Sequence, residues 1–139
     1  MTTAKFFTYQ EPIRALLEAT LLNAVVKTSV TVEEASKQRG SVPTVHIVFL
    51  SDESIDGNDS VVLLERNIVV MAYVPGATSD RTDLDDDLCH GIFLALHGEM
   101  LPGYSTPLEL QSIECDYEGS ARRYYFVFSA RTKLAKRIR

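Results

Sequence analysis

The stretch VVLLERNIVVMAYV, residues 61–74, constrains the fold more than any other part of this chain. It is rich in Val, Ile and Leu and is closed by Pro75-Gly76, so it reads as one long β-strand. Its apolar residues are too dense to keep to alternate positions, which marks a strand covered on both faces near the centre of a sheet. The polar triplet Glu65-Arg66-Asn67 interrupts the run, and a bend or bulge is expected there.

Such a strand needs neighbours. Residues 43–50 (PTVHIVFL) supply a second β-branched run. Residues 108–117 and 122–130 read as an antiparallel hairpin across Glu118-Gly119-Ser120, with Tyr124, Phe126 and Phe128 alternating against Tyr125, Val127 and Ser129. Two helices cover the sheet. Pro12 stands where a first turn begins, and Ile13, Leu16, Leu17, Thr20, Leu21, Ala24 and Val25 recur at three and four spacing, predicting a helix over about residues 11–27. The second helix is expected over residues 78–100, with Ser79 or Thr82 as cap, acids in its first turns, and Leu84, Leu88, Ile92, Ala95 and Leu96 as its buried stripe. Residues 27–32 are either a short strand or an irregular end. Residues 33–41 and the acidic 51–60 read as loops. The order helix, strands, helix, hairpin predicts a single α+β domain over residues 1–139: a mixed, mostly antiparallel sheet with two helices packed on one face.

Charge is divided along the chain. The net charge is −5, which disfavours general attraction to nucleic acid. Residues 121–139 hold seven of the fourteen basic side chains and none of the nineteen acids, so everything before them is strongly negative. Residues 133–139 form a basic C-terminal tail. The plainer reading is a solvated tail; the sharper one is a head-to-tail contact in which this end of one subunit meets an acidic surface of another. With 45% hydrophobic and 24% charged residues the chain can bury a core and is not disordered. Cys89 and Cys115 fit no metal or redox spacing and suggest a reducing compartment. No charged and then apolar start resembles a signal peptide, and no apolar run has the length of a membrane span, so use in the cytoplasm is expected.

Few residues invite chemistry. Asp83, Asp86, His90 and His97 share one side of the second helix, and Asp86 and His90 have a spacing that can serve a metal. An exposed helix face with acids in its first turn is the stronger explanation, and no metal is assigned. Asp52, Glu53, Asp56 and Asp59 lack the oxygen spacing of a calcium loop. Cys89 and His90 diverge on a helix by about 100° and cannot form a dyad. His46 lies in a β-run as a hydrogen-bonded strand residue. The basic and aromatic run from Arg122 to Phe128 could mimic an RNA-binding strand but lacks its glycines. No phosphate-binding or nucleophile motif is present, so neither an enzyme nor a cofactor is expected.

Four features follow one another over about residues 61–132. A strand ends in Val74-Pro75-Gly76. A helix opens in Asp83-Leu84-Asp85-Asp86-Asp87-Leu88 and runs through Ile92-Phe93-Leu94-Ala95-Leu96-His97. Leu101-Pro102-Gly103 breaks the chain. A strand pair, Leu108 to Glu114 and Tyr124 to Phe128, closes on Ala130-Arg131-Thr132. In this order, and with the opening Ile13-Arg14-Ala15-Leu16-Leu17, the chain resembles the tail terminator proteins of long-tailed bacteriophages. The resemblance implies a structural virion protein without an active site. Such a protein forms a homo-hexameric ring on the last ring of the tail tube, stops tube growth and offers the head a joining surface. The partners implied are copies of itself, the tail tube protein and a head–tail connector or neck protein. Genomic DNA would pass through the lumen without specific binding, no membrane would be involved, and assembly would take place in the host cytoplasm. The basic tail goes beyond the family's pattern. A head-completion or neck connector protein is therefore the alternative, followed by a small cytoplasmic protein-binding module. The residues expected at contacts are Arg122, Arg123, Arg131, Lys133, Lys136, Arg137 and Arg139, with Asp83 and Asp86 on the acidic side.

Overall fold

In the computed structural model, residues 6–76 and 82–135 are described. Eight elements follow in order: α1 (Gln10–Thr20), β1 (Val25–Ser29), α2 (Val32–Ser36), β2 (Thr44–Gly57), β3 (Val61–Val74), α3 (Asp83–Leu96), β4 (Glu109–Glu118) and β5 (Ala121–Ala135). The five strands form one sheet in the order β1-β2-β3-β5-β4. Only β1 and β2 are parallel; the other pairs are antiparallel, so the α+β class with a mixed, mostly antiparallel sheet is what the structure shows.

β3 is the central strand, and it is unbroken. It pairs with β5 without irregularity from Val61↔Ala135 to Val74↔Arg122. The register shifts lie on its neighbour β2, between Phe49 and Ser51 and between Ser54 and Asp56. Arg66 stays in the ladder because Asp52, directly opposite it on β2, takes its charge: Arg66 Nε and Nη2 donate to the Asp52 carboxylate at 2.9 and 2.8 Å.

The acidic segment expected as a loop is instead the far half of β2, paired with β3 as far as Gly57↔Val62. Acidic residues are poor strand formers, but here Glu53 and Asp56 face water and Asp52 is paired with Arg66 while the backbone ladder is completed. The turn is Asn58-Asp59-Ser60, where Asn58 Oδ1 accepts from the amides of Ser60 and Val61 at 2.8 and 3.0 Å. Gly57 is required there, because a Cβ would stand 2.8 Å from the carbonyl oxygen of Val61.

Both helix lengths differ from expectation. α1 stops at Thr20, and the chain turns to lay Val25–Ser29 beside β2, so the apolar period that ran on to Val25 belongs to two elements. Leu21 and Val26 are still buried in the same core. α3 begins at Asp83 and ends at Leu96; Ser79 lies outside the described residues. Leu88, Ile92, Ala95 and Leu96 are buried as expected, while Leu84 is only half-buried. Residues 33–41, expected as a loop, contain most of α2, capped by Thr31, whose side chain accepts from the Glu34 amide at 3.0 Å.

Alternation sorts the side chains to two faces. On one, Ile68, Val70 and Ala72 of β3 and Tyr124, Phe126 and Phe128 of β5 pack under α1 and α3. Gly91 lets the two helices approach, since a Cβ there would fall 2.5 Å from Leu21 Cδ2. On the other face Val48, Val69, Met71 and Tyr73 form a smaller cluster under Ala35 of α2. The two long helices share one face, and the short one covers part of the other.

Candidate interaction surface

The sheet has two edges, and they differ. β1 is five residues long. β4 is ten residues long and mostly exposed, and it carries Glu109, Glu114, Asp116 and Glu118. Beside it, Asp83 and Asp86 stand exposed on α3. Asp86 and Glu114 both line a cleft of about 300 Å³ between α3 and β4, together with Cys89, Ile113 and Cys115. The two cysteines form no disulfide. Ile113 and Tyr117 are half exposed on this edge.

The basic end is split by the structure. Arg122 does not belong to a surface: it is 1% exposed, and its Nε and Nη2 donate to Asp85 at 2.6 and 2.9 Å. Tyr124 donates its hydroxyl to the same carboxylate at 2.6 Å, and the Thr82 amide and hydroxyl donate at 3.0 and 2.8 Å. Burial alone would raise the Asp85 carboxyl; the hydrogen bonds from Arg122, Tyr124 and Thr82 outweigh it and hold the group well below the usual carboxylate range. Arg123 is also buried, on the opposite face, with Asp116 and Glu118 each 3.6 Å away. Neither guanidinium is displayed to solvent as the contact residues were expected to be, because β5 carries both into the packed part of the sheet.

Arg131 and Lys133 are exposed, and Arg131 Nε lies 3.8 Å from Glu65. Lys136, Arg137 and Arg139 lie outside the described residues. β5 outruns β4, whose pairing with it stops at Glu109↔Ser129. Beyond that point the β4 side of β5 meets the 103–106 segment, through the bridge Tyr104↔Thr132, the Thr132 hydroxyl donating to the Gly103 carbonyl at 3.2 Å, and the bonds of Arg131 to Ser105 and Thr106. Among the described residues no strand pairs with residues 133–135 on the side away from β3, where Lys133 and Leu134 border a small cleft with Pro102 and Gly103.

The residues weighed for chemistry have structural partners or none. His46 is buried between Ser29 Oγ at 2.5 Å and Gln38 Oε1 at 2.7 Å, and burial together with Lys27 lowers its pKa. His97 accepts from the Leu110 amide at 3.2 Å and stacks on Phe93. His90 is exposed on α3. Among the described residues no group of three His, Cys, Asp or Glu could hold a metal, and no helix is long and apolar enough to cross a membrane. Sequence reasoning missed two centres. Arg66 is surrounded by Phe6, Phe7, Tyr9 and Phe49, with its carbon 4.7 Å from the Phe6 ring centre, and it donates to the Phe6 carbonyl at 2.6 Å. Its signal was an arginine inside an apolar strand. Asp85 had only a local signal, the capping-box spacing Thr82-Asp83-Leu84-Asp85, which says nothing of its pairing with Arg122.

No protein family and no curated protein matches the chain. Solved structures do. One is a chain in the virion of a native gene transfer agent (GTA) particle, at 15% identity and a TM-score of 0.54, covering 91% of this chain and 88% of that one. The likeness is one of fold, and it runs through nearly the whole of both chains.

Proposed function

We propose that this chain is a structural protein of a phage-like virion, and that within the particle it is the tail terminator: a ring that closes the tail tube and provides the head-joining surface. The observation that carries the reading is the fold shared almost end to end with a chain of a gene transfer agent virion. The order of elements from β3 to β5 supports the finer assignment, since it follows the terminator pattern of strand, acid-capped helix, Gly/Pro break and hairpin. A ring needs two different surfaces on one subunit. The acidic β4 edge and the basic end of β5 are two such surfaces. The reading assigns no catalysis. The buried charges at Asp85 and Arg66 are held by partners of the fold itself.

Light scattering and negative-stain microscopy of the concentrated protein, alone and with assembled tail tubes, test this. Six-fold rings with a central hole, or a cap on the tube end, are expected. A protein that forms neither rings nor a complex with tubes would overturn it, and a compact dimer would favour a small binding module.

A further inference from the structure

We infer that the basic end of β5 on one copy docks along the open, acidic edge of β4 on the next copy, continuing the sheet from subunit to subunit. The inference rests on the ring reading above and names the contact that would close the ring.

The receiving side is an open strand edge whose acids guard it against a like edge but not against a basic one. β4 uses one side for β5, and among the described residues no strand covers the other. An exposed edge is a row of unpaired donors and acceptors, commonly shielded by charged side chains, lysine above all, or by proline or a bulge. β4 has no lysine or proline; its bulge lies at Leu110–Ser112, and its exposed charges, Glu109, Glu114, Asp116 and Glu118, are all negative. Arg39 pairs with Glu118 at 2.7 Å, and Arg123 lies near Asp116 and Glu118, but no cation is paired with Glu109 or Glu114 among the described ion pairs. Asp86 adds charge across the cleft from Glu114. Two such edges would repel each other, so a second β4 is excluded as the occupant and a basic strand is selected.

The donor is on the same chain. Residues 131–139 read Arg-Thr-Lys-Leu-Ala-Lys-Arg-Ile-Arg, five cations and no acid. β5 is already extended through Ala135, and among the described residues no strand pairs with residues 133–135 on its side away from β3, so it can pair outward without releasing β3. Leu134 and Ile138 are four residues apart, the separation of Ile113 and Tyr117 on the β4 edge, so in extended chains both pairs recur on one face. Leu134 and Ile138 would then meet the apolar residues along the cleft, while Lys133 and Arg137, on the other face, meet the acids of β4. Topology sends the contact to another molecule: β4 already holds its own β5 on one side, and its open side faces away. An edge of one kind meeting an edge of another is a heterologous contact, which closes into a ring when the rotation allows.

The test uses the full chain and a labelled peptide of residues 131–139. The peptide should bind saturably, lose affinity as salt rises, and bind Glu109→Lys/Glu114→Lys about tenfold more weakly. Both glutamates are exposed, and a circular dichroism spectrum checks that the variant folds. Full-length Glu109→Lys/Glu114→Lys and Lys133→Glu/Arg137→Glu should each assemble far more weakly than the unchanged chain, because the first removes the net negative charge of the edge and the second most of the positive charge of the tail. No peptide binding, or binding that the β4 variant leaves unchanged, overturns the docking. Rings that survive both charge reversals sink the contact and leave the ring reading standing; peptide binding in a protein that never forms rings on or off the tube does the reverse.

Discussion

Arg122 and Arg123 are adjacent on β5 and point to opposite faces of the sheet, and both guanidinium groups are buried. Their surroundings differ. Arg122 lies under α3 against a carboxylate that is itself 1% exposed, held at hydrogen-bond distance and shared with Tyr124 and Thr82. Arg123 lies under the outer face with its two carboxylates half exposed and 3.6 Å away, and its Nε and Nη2 have no hydrogen-bond partner. A buried charge is costly to orphan and a loosely paired one at a wet rim is not. The α3 side of the molecule is thus held by a closed polar network, while the outer face is held by packing and leaves its acids facing solvent.

The most direct way to break the comparison is Asp85→Ala. It leaves the Arg122 cation buried without its partner and should cost about 3–5 kcal/mol in urea unfolding. A loss below about 1 kcal/mol would show that the network does not anchor the α3 side. The pH dependence has a definite sign. The folded Asp85 carboxyl is depressed below its ordinary 3.8, so its contribution is present above that pH and is lost as pH falls below it. Asp85→Asn should therefore flatten the acid limb of the stability profile.

Arg66→Ala comes next. Asp52 is 13% exposed and can be rehydrated, so the expected loss is smaller, about 2–3 kcal/mol, combining a charged hydrogen-bonded pair with aromatic contacts. Because Arg66 also holds the Phe6 carbonyl, the N-terminal residues should become sensitive to protease in this variant before the core does.

These centres show what a single sequence can and cannot tell. The long strands and the apolar stripe of α3 were legible because periodicity reports burial directly. The far half of β2 was not, since an acidic run looks like a loop unless its partner strand is known, and 61–65 became that partner only through the hairpin turn at Asn58. α1 and β1 merged because a β-branched run continued the helical period. Of the expected contact residues, Arg131, Lys133, Asp83 and Asp86 could be read as surface charges. Arg122 and Arg123 could not be told from them, because burial of an arginine depends on an acid that is distant in sequence: thirty-seven residues separate Arg122 from Asp85.

The outer face can be sharpened by titration. His46 is neutral there, between Ser29 and Gln38, with its pKa lowered from 6.5 first by burial and then by Lys27, against a raising effect of Glu34. A histidine depressed in the fold costs stability as pH falls through the unfolded value, since only the unfolded chain then takes up the proton. Stability should therefore be complete above about pH 6.5 and decline below it. In His46→Gln that decline should be shallower between about pH 7 and pH 5, while the Asp85 limb at lower pH is unchanged. An identical slope in both proteins would remove His46 as the source.

The smallest effect belongs to Arg123. Arg123→Met keeps most of the apolar stem against Tyr73, whose ring centre lies 5.9 Å from the guanidinium carbon, and leaves Asp116 to water and Glu118 to Arg39. The lost ion pairs are worth about 0.2–1 kcal/mol, and removing a poorly bonded buried cation offsets part of that, so the net change should stay within about 1 kcal/mol of zero. Pairing Arg123→Met with Asp116→Asn in a double-mutant cycle should give a coupling below about 0.5 kcal/mol, far under the value for Arg122 and Asp85 measured the same way. A coupling of several kcal/mol would mean that Asp116 closes on Arg123 in solution. The outer face would then be as tightly tied as the inner one, and Asp116 would be unavailable to a neighbouring copy.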